Sequence, residues 1–264
     1  MVSRFLSFLK IVVVIASLAF LLAPVVLVFP MSLSADSFIA WPPSGWSLRW
    51  YVALVENEAM VEAFKNSFLL ASIVTVLTLL IATPAAVALA RSRFIGSEVL
   101  LSVFTAPLLL PSIVLGLAIL IIFVGYGLVG SWPGMIVGHL VLTLPYALRV
   151  LITGLKTLPP SLEDAAATLG AHPLTVFRRV TLPLMMPALV ACSALAFIIS
   201  FDEVVVSLFI SGTQLKLLPV VLYNYVESRS DPLVAAASAL MVTGTLLLVL
   251  VIERAVGLRR TVGK

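Results

Sequence analysis

Two adjacent carboxylates inside an apolar stretch, Asp202 and Glu203, are the residues of this chain best suited to bind a charged group or to exchange a proton. Ser200 lies just before them, and three valines follow. If the stretch is a helix that crosses a bilayer from Pro187 onwards, Asp202 lies about 22 Å along it, within a hydrocarbon core about 30 Å thick. A carboxylate at that depth costs several kcal/mol unless it is paired, protonated or hydrated, so both acids face a cavity or a partner. Because neighbouring helical residues point about 100° apart, at most one of them faces a pathway squarely.

Two roles for this acidic pair are open. The acids could line the path of a transported solute or its outer gate, because ionisable groups within membrane segments are functional by default. They could instead form a structural pair with a basic group of a neighbouring subunit.

The second pattern is a long, proline-bounded segment that precedes the acids. Ser161 is a good N-cap residue, and Asp164 three places later completes a capping box. Residues 165–167 are alanines, which favour a helix, and Gly170 suits the left-handed position that ends one. Pro173 suits the first turn of a following helix. The segment therefore predicts two short helices hinged at Gly170.

The surface of these two short helices allows two interpretations. The second helix has one apolar face, formed by Leu174, Phe177 and Val180. The first helix is lined by small residues, which would allow another protein surface to approach closely, so the loop could be a docking surface. The alternative is a compact hairpin that only connects two membrane segments.

Other catalytic or metal-binding chemistry finds no support in the sequence. There is no G-x-x-x-x-G-K-[ST] phosphate loop and no G-x-S-x-G nucleophile motif. His139 and His172 are 33 positions apart and lack a ligand cluster, so a metal site is not expected. We interpret His139, next to Gly138, as a helix-packing residue and the single cysteine, Cys192, as a small buried apolar residue.

Composition indicates which elements carry these residues. The chain has 264 residues, of which 62% are hydrophobic and 11% charged, and its mean hydropathy is +1.22. Soluble domains keep about 25% charged residues, so an all-α integral membrane protein is expected. The net charge of +4 comes from basic residues at the ends of apolar runs, without a basic patch. Nucleic-acid binding is therefore not expected.

Six stretches of about 20 apolar residues predict six transmembrane helices within a single domain over residues 1–264. They cover residues 11–29, 66–90, 99–124, 134–153, 186–210 and 233–252. Segment 154–185, which contains the two short helices, is the longest inner loop. The first stretch is longer than the roughly 7–15 apolar residues of a signal peptide, so we expect a retained helix. The third and fourth stretches contain residues that allow kinks and close helix contacts, namely Pro107, Pro111, Gly116, Gly138 and Pro145.

Lysines and arginines predict the orientation, because cytoplasmic loops carry an excess of both. With the N-terminus inside, the inner segments hold twelve: Arg4, Lys10, Arg91, Arg93, Arg149, Lys156, Arg178, Arg179, Arg254, Arg259, Arg260 and Lys264. The outer segments hold four: Arg49, Lys65, Lys216 and Arg229. Both termini are therefore expected in the cytoplasm. The longest outer segment, 30–65, contains Trp41, Trp46, Trp50 and Tyr51, which predict an interfacial belt, a docking surface for an external partner, or both.

The inner-loop motif resembles the signature of ABC importer permeases, which is Glu-Ala-Ala, three residues, Gly, nine residues, then Ile-x-Leu-Pro. The matching residues at the same spacing are Asp164, Ala165, Ala166, Gly170, Val180, Leu182 and Pro183. Asp replaces Glu at 164 and Val replaces Ile at 180. The resemblance implies a type I importer permease fold and a coupling helix that seats in a cleft of a cytoplasmic ATPase. The coupling residues it implies are Glu163, Asp164, Ala165, Ala166, Gly170, Ala171 and Phe177, as small, acidic or anchoring contacts.

A further resemblance narrows the solute. Residues 107–116 and 201–212 are similar to the C-type permease subunit of spermidine/putrescine importers, as are Leu218-Pro219 and Asp231-Pro232. Ser112 and Val221 depart from it, because relatives often carry an acidic and a basic residue at these places. The implied solute is a small amine, with a polyamine as the leading case and an opine or amino-acid-like compound as the alternative. The candidate residues of the path are Asp202, Glu203, Ser200 and Ser112.

The resemblance also implies the assembly. A second related permease, two cytoplasmic ATPase subunits and an external solute-binding protein would complete a transporter in the bacterial inner membrane. This chain would then hold no cofactor and would not be an enzyme, since ATP and Mg²⁺ bind to the ATPase subunits. Three rival functions are a proton-coupled secondary transporter that uses the two acids, a lipid-modifying membrane enzyme, and a purely structural subunit.

Overall fold

A computed structural model describes residues 2–91, 95–212 and 215–256 of the chain. Most of the described residues are helical, and their extended pairing is a single bridge between Ser34 and Trp46. The helices are α1 (Val2–Ser32), α2 (Arg49–Glu56), α3 (Glu58–Arg91), α4 (Ser97–Thr105), a 3-10 helix (Ala106–Leu109), α5 (Ser112–Tyr126), α6 (Trp132–Lys156), α7 (Ser161–Thr168), α8 (Pro173–Val176), a π-helix (Phe177–Thr181), α9 (Leu182–Leu184), α10 (Met186–Phe201), α11 (Val205–Ile210), α12 (Leu218–Ser228) and α13 (Leu233–Val256). Four residues used for the orientation lie outside the described ranges, namely Arg93, Arg259, Arg260 and Lys264.

Long apolar helices confirm the predicted class of all-α membrane protein. Four of them, α1, α3, α6 and α13, are long and apolar enough to cross a membrane alone. Two more crossings need bent pairs: the helical run 97–109 meets α5 at 107°, and the run 173–184 meets α10 at 69°. Six crossings result when each bent pair counts as one.

The third and fifth predicted helices are not continuous. The third is interrupted between α4 and α5, where Pro107 lies in the 3-10 helix and Pro111 is the N-cap of α5. Because proline has no N–H to donate, the helical ladder stops there. The fifth ends at Phe201, and α11 starts only at Val205.

The described residues of 62–221, together with residues 245–256, form the larger of two compact units. Its first core cluster joins α3, α5, α6 and α11, and its second joins α3, α6 and α10. Helix α6 contributes to both clusters, so it is the central helix of this unit. Cys192 is buried in the second cluster, as predicted.

Residues 2–61 and 222–244 form the other unit. A turn between α1 and α2 is closed by the Asp36 carboxylate, which accepts hydrogen bonds from the hydroxyl and the backbone N–H of Ser44. These bonds hold the pKa of Asp36 below its usual range. Arg49 Nη2 donates to the Asp36 carbonyl at 2.7 Å. Trp41 and Trp46 of the same turn are exposed.

Glycines allow helices of the larger unit to approach closely. A β-carbon at Gly154 of α6 would lie 2.5 Å from the Cβ atom of Ala188 in α10. The same addition at Gly138 would meet Ile210 Cδ1 at 2.5 Å, and at Gly116 it would meet the Phe209 ring at 2.6 Å. The close contacts predicted for these last two glycines are confirmed.

We expect Gly154→Ala to lower the free energy of unfolding by about 1–3 kcal/mol, because overpacking a tight contact forces the backbone to move. The methyl group of Ala188 has no torsion that would carry it away from the clash. Gly125→Ala in α5 is the matched control, since a β-carbon there meets nothing within 4 Å. Chemical unfolding of both variants in lipid nanodiscs measures the difference, and equal losses would contradict the packing argument.

Candidate functional site

The first short helix of segment 154–185 starts at a different residue from the one predicted. Pro160, not Ser161, is the N-cap of α7, and its carbonyl accepts from Glu163 N at 2.9 Å and Asp164 N at 3.1 Å. Pro160 has helical backbone angles, so Ser161 is already the first helical residue and its side chain does not cap. The predicted capping box is therefore wrong.

The hinge between the two short helices lies where it was predicted. Gly170 has φ +81°, and its N–H donates to the Ala167 carbonyl at 2.9 Å. Ala171 N donates to the Ala166 carbonyl at 3.1 Å, which closes the end of α7. Pro173 begins α8, as predicted, and the chain stays helical through the π-helix and α9 to Leu184. We call residues 161–184 the loop hairpin.

Small residues contribute to the exposed surface of the loop hairpin together with exposed leucines, which are Leu162, Leu169, Leu174 and Leu184. Exposed positions are Asp164, Ala165 and Gly170, while Ala166, Ala171 and Phe177 are partly buried. Leu169 is 89% exposed. The outward apolar side chain of the tip is therefore Leu169, which the sequence analysis did not single out. Its place directly before Gly170 was the available signal, because the end of a helix projects there.

The loop hairpin is fastened to the rest of its unit by Glu163. Arg91 Nε, at the end of α3, lies 3.0 Å from Glu163 Oε2. Thr181 Oγ1 of the π-helix donates to Glu163 Oε1 at 2.9 Å, and Arg91 Nη2 donates to the Leu158 carbonyl at 3.2 Å. Glu163, which the sequence suggested as a partner for a basic group of an ATPase, is thus already paired inside this chain. Asp164 remains the outward acid.

The two carboxylates of the fifth segment lie at a helix break, not within a continuous helix as the sequence analysis assumed. Helix α10 ends at Phe201, and we call residues 202–204 the acidic break. Glu203 Oε1 accepts from Val206 N at 2.9 Å, so this carboxylate caps α11. The Asp202 side chain is exposed and has no hydrogen-bond partner among the described residues. The two acids therefore have different roles, because the Glu203 carboxylate binds a backbone N–H of α11 and the Asp202 carboxylate is exposed.

Four phenylalanine rings adjoin the acidic break. Phe201 stacks on Phe197 with ring centroids 5.6 Å apart, and both belong to α10. Phe64 of α3 contacts Phe201 edge-on at 5.9 Å, and Phe68 contacts Phe197 edge-on at 5.5 Å. We call these rings the aromatic wall. The sequence analysis missed it, although each helix carries its two phenylalanines at i, i+4 spacing, which places them on one face.

The two remaining path candidates, Ser200 and Ser112, lie in different surroundings. Ser200 is buried, and its hydroxyl lies 2.9 Å from His139 Nδ1. Ser112 is exposed at the start of α5 and lines a small cavity of about 140 Å³. The other lining residues are Pro107, Leu108, Leu110, Leu115, Leu142 and Tyr146. The structure thus joins Asp202, Glu203 and Ser200 in one segment and places Ser112 in a different pocket.

Comparisons with known proteins agree with this architecture. Residues 80–260 match the family described as the inner membrane component of binding-protein-dependent transport systems. The putrescine transport system permease protein PotI of Escherichia coli (strain K12) is 34% identical over 88% of this chain and 85% of its own length. The spermidine/putrescine transport system permease protein PotC of Haemophilus influenzae is 30% identical over 88% of this chain and 90% of its own.

A solved structure shares the fold. A bacterial ABC transporter that imports the acidic polysaccharide alginate matches with a TM-score of 0.69, at 19% identity, over 96% of both chains. Together with the family match and the two relatives, it defines the class: an ABC importer permease, which is a multi-pass membrane protein and a transport subunit. This chain belongs to the family of inner membrane components of binding-protein-dependent transport systems.

We expect charge reversal at either end of the Arg91–Glu163 pair to destabilise the protein, because each leaves a partly buried charge facing a like charge. The double variant Arg91→Glu with Glu163→Arg should recover part of the loss. A thermodynamic double-mutant cycle should give a coupling free energy of about 1–3 kcal/mol.

Arg179→Glu is the matched control, because this arginine is exposed on the same π-helix as Thr181. Unfolding in nanodiscs measures all four variants. Additive losses at positions 91 and 163, with no recovery in the double variant, would show that the pair does not hold the loop hairpin.

Proposed function

We propose that this chain is the transmembrane permease subunit of an ABC importer that carries a small amine-bearing solute, with putrescine or spermidine as the leading case. The observation that carries this proposal is the loop hairpin. Its first helix presents small residues and Leu169 outward, while Glu163 anchors it from behind. Such a surface suits insertion into the cleft of another subunit, because small residues allow close approach and one apolar side chain fills a pocket.

The anchoring of the loop hairpin supports a role in passing motion to the membrane segments. Its second helix continues through the π-helix and α9 to the start of α10, and the Arg91–Glu163 pair ties it to the end of α3. Helices α3 and α10 are also the two that carry the aromatic wall. Movement of the loop hairpin by an ATPase would therefore reach both sides of that wall together.

The acidic break supports an amine as solute. The Asp202 carboxylate is exposed, and it follows directly on Phe201 of the aromatic wall. A carboxylate supplies a charge-assisted hydrogen bond to an ammonium group, and aromatic faces add cation–π attraction. The relatives named for putrescine and for spermidine with putrescine agree with this chemistry. An opine or amino-acid-like compound, which also has an amine, is the alternative solute.

The proposed assembly follows the family. A second related permease, two cytoplasmic ATPase subunits and an external binding protein would complete the transporter in a bacterial inner membrane. Both termini and the loop hairpin would lie in the cytoplasm, where lysines and arginines concentrate. ATP and Mg²⁺ would bind to the ATPase subunits, and their closure would open the path near Asp202 to the outside. The external binding protein would then release its amine there.

We expect Leu169→Asp to abolish both ATPase co-purification and ATP-dependent uptake, because a carboxylate replaces the apolar contact at the tip of the loop hairpin. Membrane insertion should be unchanged. Ile95→Asp is the control, since Ile95 is likewise a highly exposed apolar residue but lies outside the loop hairpin. Detergent-solubilised complexes are purified through a tag on this chain and examined for the ATPase. If Leu169→Asp retains the ATPase and uptake, the loop hairpin does not couple the subunits.

We expect Asp202→Asn to lower ATP-driven putrescine uptake about ten- to a hundredfold, because a charge-assisted hydrogen bond contributes roughly 1.5–3 kcal/mol. Asp202→Glu should recover part of the rate, and neutralisation of the exposed Glu98 by glutamine should have no effect. Radiolabelled putrescine uptake into proteoliposomes of the whole complex measures this.

Two further arms of this uptake experiment separate the rival functions. Unlabelled opines or amino acids that compete better than spermidine would replace the polyamine assignment. Uptake driven by a proton gradient without ATP would overturn the importer mechanism and favour a secondary transporter.

A further inference from the structure

His139 makes two hydrogen bonds that span the acidic break. The residue lies in α6 and is completely buried. Its Nδ1 atom is 2.9 Å from Ser200 Oγ, at the end of α10, and its Nε2 atom is 3.1 Å from Ser207 Oγ, in α11. Both serines are also buried. One side chain on a third helix thus holds the helices on both sides of Asp202 and Glu203.

Imidazole is well suited to this position. A neutral ring has one N–H donor and one acceptor nitrogen, and a serine hydroxyl can serve as either. Both ring nitrogens and both hydroxyls therefore find partners in a region where an unpaired polar group is costly. An aliphatic residue of similar size would leave both serines unsatisfied.

Helix α6 offers a rigid support for these two bonds. Thr143 Oγ1, one turn further along, donates to the His139 carbonyl at 3.0 Å and lies 2.7 Å from Thr78 Oγ1 of α3. Gly138 allows Ile210 of α11 to contact the backbone of α6. The same stretch of α6 is therefore fixed to α3 on one side and to α11 on the other.

Geometry links the two bonds to the break itself. In an unbroken helix, Ser200 and Ser207 would be about 10.5 Å apart along the axis. The break brings the two hydroxyls within reach of one five-membered ring. A chain that straightened through residues 202–204 would have to give up at least one of the two bonds.

We propose that His139 is a positioning residue that clamps α10 to α11 and thereby fixes the place of the exposed Asp202 carboxylate, a role that rests on the proposed amine path. The sequence analysis interpreted His139 as a packing residue, and its burial agrees with that. The clamp goes further, because it predicts that this side chain controls the arrangement of the solute path without touching the solute.

Spin labels test the clamp directly in the assembled transporter. Cys192 is the only cysteine of the chain, so a Cys192→Ala background accepts labels at Met186 and Leu208, which are exposed on α10 and α11. We expect one narrow distance distribution in the parent and a clearly broader one in His139→Ala. Thr105→Val is the matched control, because it removes a buried threonine hydroxyl that bonds within α4, outside the three helices of the clamp.

Two conservative variants assign the bonds individually. An asparagine at 139 places its amide near the position of Nδ1 and can keep Ser200, while a glutamine reaches the position of Nε2 and can keep Ser207. Ser207→Ala should therefore add nothing to His139→Asn, and Ser200→Ala should add nothing to His139→Gln. The single serine variants broaden the distribution less than His139→Ala and remain informative if that variant fails to assemble.

Transport kinetics supply the second readout. We expect the KM for putrescine to rise at least fivefold in His139→Ala, with ATP hydrolysis by the complex within twofold of the parent. Thr105→Val should change neither. An unchanged distance distribution in His139→Ala, or equal broadening in Thr105→Val, would overturn the clamp. If the parent complex does not transport putrescine, the proposed solute fails, whereas the distance measurement still decides the clamp.

Discussion

The absence of water from the hydrocarbon core is the constraint on which this structure depends. Every backbone N–H and C=O group there must find a partner within the protein, so each departure from helix needs its own solution. At the acidic break, the Glu203 carboxylate accepts from Val206 N. At the bend before α5, Pro111 has no N–H to satisfy, and Leu110 N donates to the Pro107 carbonyl at 3.2 Å. Candidate functional residues, namely Asp202 at the acidic break and Ser112 after the bend, lie at these two interruptions of the helices.

Helices α3 and α10 connect the loop hairpin with the aromatic wall. Helix α3 ends at Arg91, which holds the loop hairpin, and it carries Phe64 and Phe68 towards its other end. Helix α10 follows directly on the loop hairpin and ends beside the exposed carboxylate. A rigid element transmits displacement along its length, so the Arg91–Glu163 pair and the chain connection at Met185 link the loop hairpin to the aromatic wall. Helix α6, which contributes to both core clusters, packs against both of these helices.

Much of the candidate site follows from local sequence, but its partners do not. The end of α7 at Gly170 and the start of α8 at Pro173 depend on neighbouring residues only, and both were predicted. The pairing of Glu163 with Arg91 joins residues 72 positions apart, and the contact of His139 with Ser200 joins residues 61 apart. No local pattern specifies such pairs. The predicted capping box was wrong for a local reason. Pro160 has the backbone angles of a helix, so α7 starts one residue earlier than predicted.

Composition and hydrophobic run length by themselves determined that this chain is a helical membrane protein, and they predicted six apolar crossings, because the cost of exposing apolar surface to water is set residue by residue. Local residue types also located the hinged loop and the unusual acids. Only the tertiary structure decided that the fifth crossing is broken, that one acid caps a helix while the other is exposed, and that four aromatic rings adjoin them. Hydrogen bonds act over about 3 Å, so a polar side chain takes its role from whichever distant helix the fold brings beside it.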